Sequence, residues 1–105
     1  MNKKIRSEVD YVVRQITKNY HPERIILFGS AARGRMHEDS DIDLLIIKRT
    51  RKRMVERIGD VLNACTYAIP VEPVVYTPRE IEKRLKMGDF FITEIMATGI
   101  TLYEG

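Results

Sequence analysis

The chain has 105 residues, room for one compact domain spanning 1–105. Hydrophobic residues make up 44% and charged residues 31%, which excludes a disordered composition and allows a real core. Eighteen basic against fifteen acidic residues give a net charge of +3, a bias that suits polyanionic ligands but lacks the dense stripe of a dedicated DNA-binding domain.

The longest apolar run, Leu44 to Ile47, is far short of the roughly 20 residues that cross a bilayer. Met1-Asn2-Lys3-Lys4 leads into no signal-like stretch, so no membrane contact and a cytoplasmic location are expected. Cys65 is the sole cysteine, which rules out an internal disulfide, and its place in an apolar rhythm predicts burial.

In chain order, Ile5, Val9, Val12, Val13, Ile16 and Tyr20 recur at helical steps and predict an amphipathic helix over Lys3–Tyr20, with Pro22 just beyond. Arg24 to Phe28 reads as a buried strand delivering the chain into a turn at Gly29, and a glycine-punctuated loop continues to Gly34. Asp41 to Lys48 is a second strand, apolar at nearly every position after its first residues and therefore central. Met54, Ile58, Val61, Leu62 and Cys65 repeat a helical stripe between Thr50 and Cys65. Val71 to Tyr76 is a third strand. Thr77-Pro78-Arg79-Glu80 then supplies an N-cap, a first-turn proline and a capping-box glutamate for a helix through about Met87. Gly88 ends it, Asp89 caps another helix over about Phe90 to Ala97, and Ile100 to Tyr103 is a last strand. The fold class is α/β, a mixed sheet with packed helices.

Asp41 and Asp43 lie two apart at the start of a strand, so the pleat sets both carboxylates on one face, with Cα atoms roughly 6–7 Å apart. Hard oxygen ligands of this kind suit Mg²⁺, completed by substrate phosphates rather than by an all-protein cage. Glu72 interrupts an otherwise apolar strand, where a carboxylate is costly unless compensated, and a metal is one compensation. The alternative is a glutamate at an exposed strand edge beside Pro73.

Gly29 and Ser30 follow a strand directly, where unhindered backbone N–H groups and a hydroxyl can cradle phosphates. Gly29 and Gly34 have the glycine spacing of a Walker A loop, but Arg35-Met36 stands where that loop needs Lys-Ser/Thr. Arg33 and Arg35 can instead fork onto phosphates, or solvate an exposed turn.

Gly29-Ser30, ten residues, then Asp41-Ile42-Asp43 resembles the signature of the DNA polymerase β superfamily of nucleotidyltransferases. Nearly the whole chain is similar to the minimal nucleotidyltransferase antitoxins of the MntA kind. The resemblance implies a polymerase β-like fold, with Asp41 and Asp43 as catalytic ligands of Mg²⁺, two ions in all, and Glu72 at the third acidic position. It implies nucleotide contacts from Gly29 and Ser30, and Arg33 matches the Ala-Arg-Gly part of the motif. The third acid is usually aspartate in the family, whereas here it is glutamate followed by proline. The activity implied is transfer of AMP from ATP to a tyrosine of a HEPN-domain ribonuclease toxin, as the antitoxin of a type VII toxin–antitoxin pair. Metals roughly 3.5–4 Å apart would activate the acceptor oxygen and neutralise the departing pyrophosphate.

Two rival functions stay open: a nucleotidyltransferase acting on RNA or a small molecule, and a non-catalytic module that silences its toxin by docking. Nucleic acid ranks behind protein as a partner, and self-association is left open. The basic run Lys48 to Arg53 precedes a helix, where its charge opposes the dipole and argues against a purely stabilising role. His21 and His37 lack ligand-spaced partners, Glu38 and Asp39 read as solvated loop acids, and Phe90, Phe91, Ile95 and Met96 read as core rather than a docking stripe.

Overall fold

A computed structural model of the chain describes residues 3–34 and 41–105. The readings made on Arg35, His37, Glu38 and Asp39 fall outside the described residues. Helix α1 (Lys3–Tyr20) buries all six residues of its predicted stripe. It ends where His21 takes a left-handed φ of 56° and Pro22 follows. Lys48 Nζ donates to the Tyr20 carbonyl at 2.6 Å and the His21 carbonyl at 3.3 Å, satisfying acceptors that the helix end leaves free.

The remaining elements are β1 (Arg24–Phe28), α2 (Gly29–Ala32), β2 (Ile42–Ile47), α3 (Met54–Asn63), β3 (Val71–Tyr76), α4 (Pro78–Lys86), α5 (Phe90–Thr98) and β4 (Ile100–Glu104). The sheet runs β3-β2-β1-β4, with β2 parallel to β3 and β1 antiparallel to both β2 and β4. Alternation sends Ile25, Leu27, Leu44, Ile46, Val71 and Val75 to the face covered by α1 and α3. Ile26, Leu45 and Ile47 point the other way, onto Ile81 of α4 and Ile92 and Ile95 of α5. Strand β2 is therefore central and sheathed on both faces, as its apolar run predicts.

Three local differences from the sequence reading have physical causes. The glycine-punctuated segment begins with a short helical turn, α2, closed by Arg33 N donating to Gly29 O at 3.2 Å. Helix α3 starts at Met54 rather than near Thr50, because Thr50 Oγ1 accepts the Lys52 N–H in a local turn and Glu56 Oε1 caps the Arg53 N–H. In its first two turns sits Arg57, a buried charge that the apolar-stripe reading passed over. Its guanidinium donates to Lys52 O at 2.7 Å, Val75 O at 3.0 Å and Glu80 Oε1 at 2.7 Å, tying α3 to β3 and α4.

The helix α4 cap forms as predicted, with Glu80 N donating to Thr77 Oγ1 at 3.1 Å and Thr77 N to Glu80 Oε1 at 2.8 Å. In α5 the expectation of a uniformly buried stripe fails: Ile95 is core, but Phe90 is 79% and Phe91 44% exposed. Both aromatics lie in the first turn, ahead of the part of α5 that packs on the sheet through Ile92 and Ile95.

Candidate active site

The antiparallel and parallel registers place Phe28, Asp43 and Glu72 in one row across β1, β2 and β3. This row sits at one end of the sheet, where β1 finishes and β2 and β3 begin, and alternation turns all three side chains to the α4–α5 face. Asp41 lies just ahead of β2, at the point where Ile42 N donates to Pro70 O at 2.8 Å and draws the start of β2 against the start of β3.

Glu72 is hydrogen-bonded to the Asp41 side chain. That bond, the negative charge of Asp41 and, to a smaller degree, burial and the charge of Asp43 raise the Glu72 carboxyl above its usual range. Asp43 is raised as well, first by burial and then by the charge of Asp41, with the Arg33 guanidinium pulling the other way. Glu72 itself is exposed, because β3 is an edge strand. The burial cost inferred from its apolar neighbours is therefore small, and what marks Glu72 is its closeness to two other acids.

Gly29 adopts φ +72°, and a Cβ built on it would collide with Asp43 Oδ2. Only glycine lets the chain leave β1 this closely against the carboxylate. Ser30 follows in α2, half-buried, and Arg33 is exposed at its C-terminal end.

Two clefts meet at this row. One, of about 480 Å³, is lined by Asp43, Glu72, Phe28 and Phe91 together with Ile58 and Pro73. The other, of about 230 Å³, is lined by Gly29, Arg33, Phe28, Phe91 and Glu94. Phe28 and Phe91 meet edge to face, with centroids 5.5 Å apart, and form the wall between the clefts. Neither aromatic was singled out for the site from sequence. The position of Phe28 immediately before Gly29 was the available signal for it.

Among the described residues, no three His, Cys, Asp or Glu side chains are placed to hold a metal ion by themselves. The donor set nevertheless fits a hard cation that takes part of its shell from substrate phosphates: crowded carboxylates, already pressed toward protonation, beside an open glycine.

Residues 6–96 match the family model of the nucleotidyltransferase domain. The chain belongs to that family. MJ0141 of Methanocaldococcus jannaschii, provisionally named a protein adenylyltransferase, is 32% identical to this nucleotidyltransferase over 78 residues, covering 74% of the chain and 76% of the relative. MJ1305 of the same organism carries the same provisional name and is 41% identical over 63 residues, covering 54% of the chain but 43% of that protein. The mixed sheet and helices on both faces are the fold expected of a nucleotidyltransferase.

Proposed function

We propose that this nucleotidyltransferase is a Mg²⁺-dependent protein adenylyltransferase that moves AMP from ATP onto a tyrosine hydroxyl of a HEPN-domain toxin and so acts as its antitoxin. The observation that carries the catalytic part is the register of Asp43 beside Glu72, with Gly29 pressed against Asp43 and Asp41 bonded to Glu72. The protein acceptor is supported by the names of the relatives, and the HEPN partner and tyrosine by the resemblance of the Gly-Ser and Asp-x-Asp motifs.

In this reading Asp41 and Asp43 hold Mg²⁺, with Glu72 as the third acid. When bound there, Mg²⁺ supplies positive charge against the α-phosphate and the departing pyrophosphate. The Ser30 hydroxyl and the N–H groups of the α2 turn donate to phosphate oxygens, and Arg33 adds a planar cationic fork. Phe91 and Phe28 offer an apolar wall on which the nucleotide can rest. Glu72, exposed at the edge of the row, takes the proton of the acceptor hydroxyl in its ionised, carboxylate form. The acceptor oxygen bonds to the α-phosphorus, the bond to the bridging oxygen breaks, and pyrophosphate leaves with its electron pair.

The test is intact-mass spectrometry of the HEPN-domain partner after co-expression. The expected result is a gain of one or more adenylyl groups, lost when the acceptor tyrosine is replaced by phenylalanine. A partner that is silenced in complex yet unmodified would favour the docking-only module instead.

A further inference from the structure

At the opposite end of the sheet, past the C-terminal ends of the parallel strands β2 and β3, lies a cleft of about 660 Å³. It is separated from Asp43 by the length of β2, roughly 13 Å from that residue to Ile47. Crevices beyond the carboxyl ends of parallel strands are where open α/β sheets commonly take ligands, and the catalytic row does not use this one. Arg49, Thr50 and Arg51, which follow β2, form one wall, and Thr77, Pro78 and Arg79, which follow β3, form the other. The walls are joined at the strand ends, where Lys48 N donates to Tyr76 O at 3.0 Å.

Most cations of this region have partners. Lys48 caps α1, Lys52 pairs with Asp60 at 2.7 Å, Arg53 with Glu56 at 3.4 Å and Arg57 with Glu80 at 2.7 Å. Lys48, Lys52 and Arg53 of the basic run are thereby engaged within the fold. The arginines of the cleft differ. Arg49 reaches Glu23 only at 3.9 Å, and Arg51 and Arg79 have no ion pair among the described residues. Glu82, the acid on the cleft wall, is engaged by Lys86 at 3.0 Å.

Thr50 Oγ1 already accepts the Lys52 N–H at 3.1 Å, so its hydroxyl proton can donate to an anion, whereas the Thr77 hydroxyl is engaged with Glu80. Arg79 also lines an adjoining cleft of about 410 Å³ with Lys83 and Lys86. Lys86 is held by Glu82, but Lys83, with no ion pair among the described residues, stands about 6 Å along α4 beyond Arg79 and extends the positive surface past the cleft.

We propose that this cleft is a second, non-catalytic site that binds the phosphodiester backbone of a nucleic-acid strand, held by Arg49, Arg51 and Arg79 and continued by Lys83. Guanidinium forks match phosphate oxygens in pairs. A protein ligand would need buried aromatic or aliphatic anchors, and the main cleft offers only Pro78. With no aromatic platform for bases, binding is independent of sequence and sensitive to salt.

The experiment measures anisotropy of a short fluorescein-labelled RNA of mixed sequence, without ATP or Mg²⁺, so it is independent of the adenylyltransferase reading. The expected result is binding at low salt, with a log–log salt slope of about −2 to −3, as neutralisation of three or four phosphates requires. Arg51→Gln/Arg79→Gln/Lys83→Gln, all at exposed positions, weakens binding at least about tenfold with an unchanged unfolding temperature. Asp41→Asn/Asp43→Asn leaves it intact. No binding, equal binding by the triple variant, loss in the aspartate variant, or equally tight binding of a poly-glutamate peptide would each overturn the proposal.

Discussion

Asp43 Oδ2 occupies the space that a Cβ on Gly29 would need, while Gly29 holds φ at +72°. The end of β1 and the start of β2 are thus fitted to each other through one missing side chain, and that fit sets the Gly29-Ser30 turn against the acidic row. Gly29→Ala is expected to cost about 1–2 kcal/mol of stability from the left-handed backbone alone. Displacement of Asp43 is expected to lower nucleotidyl transfer further, by at least about tenfold. Urea unfolding and a transfer assay on the same variant measure both; wild-type values in both would mean the close approach is unimportant.

Phe91 stands 44% exposed against Phe28 at the wall shared by both clefts. An edge-to-face pair is worth roughly 0.5–1.5 kcal/mol, and a solvent-facing ring contributes little else to stability. Phe91→Ala is therefore expected to raise KM for ATP by about three- to tenfold and to leave kcat nearly unchanged. A fall in kcat with KM unaltered would place the nucleotide elsewhere.

Much of this arrangement is legible in the sequence, and the exceptions are instructive. The period of α1 and the apolar run of β2 declare their buried faces because burial leaves a repeating mark. Asp41 and Asp43 stand out because their spacing sets both on one face. Glu72 stands out as the acid interrupting an apolar strand; of the two readings, the compensated buried carboxylate and the exposed strand edge, the edge position of β3 bears out the second, and register brings it to Asp43. Arg57 could not be read, since its burial depends on carbonyls and a carboxylate from β3 and α4 that no local pattern records. The pairing of Arg51 with Arg79 across a cleft likewise depends on the parallel pairing of β2 and β3.

Arg57 is the strongest candidate for a structural staple. Its side chain is 9% exposed and that of Glu80 42%, so the pair is only partly shielded from water. Arg57→Met removes the charge and leaves the Val75 carbonyl without its donor, at an expected cost of about 2–3 kcal/mol. Glu80→Gln is expected to cost about 1 kcal/mol. Chemical denaturation of both variants checks the order; an Arg57→Met protein as stable as wild type would remove the staple from the account.

The same pair predicts an acid sensitivity. Burial alone would push the Glu80 carboxyl up, but the hydrogen bonds from Arg57 and Thr77 and the charge of Arg57 outweigh it and hold Glu80 below its ordinary 4.5. A carboxylate depressed in the folded state stabilises fully above its unfolded value and loses that contribution as pH falls through the folded value. Stability measured from pH 6 downward should therefore decline below about pH 4.5, and less steeply in Glu80→Gln. Parallel profiles for the two proteins would contradict this assignment.

The central claim is that Asp41 and Asp43 serve nucleotidyl transfer to a protein. The most direct measurement is transfer of label from α-phosphate-labelled ATP, with Mg²⁺, to the purified HEPN-domain partner, using wild type and Asp41→Asn/Asp43→Asn. Wild type is expected to label the partner, with a loss on the order of a thousandfold in the variant. Tight binding to the partner with no labelling, or equal labelling by the variant, would contradict it.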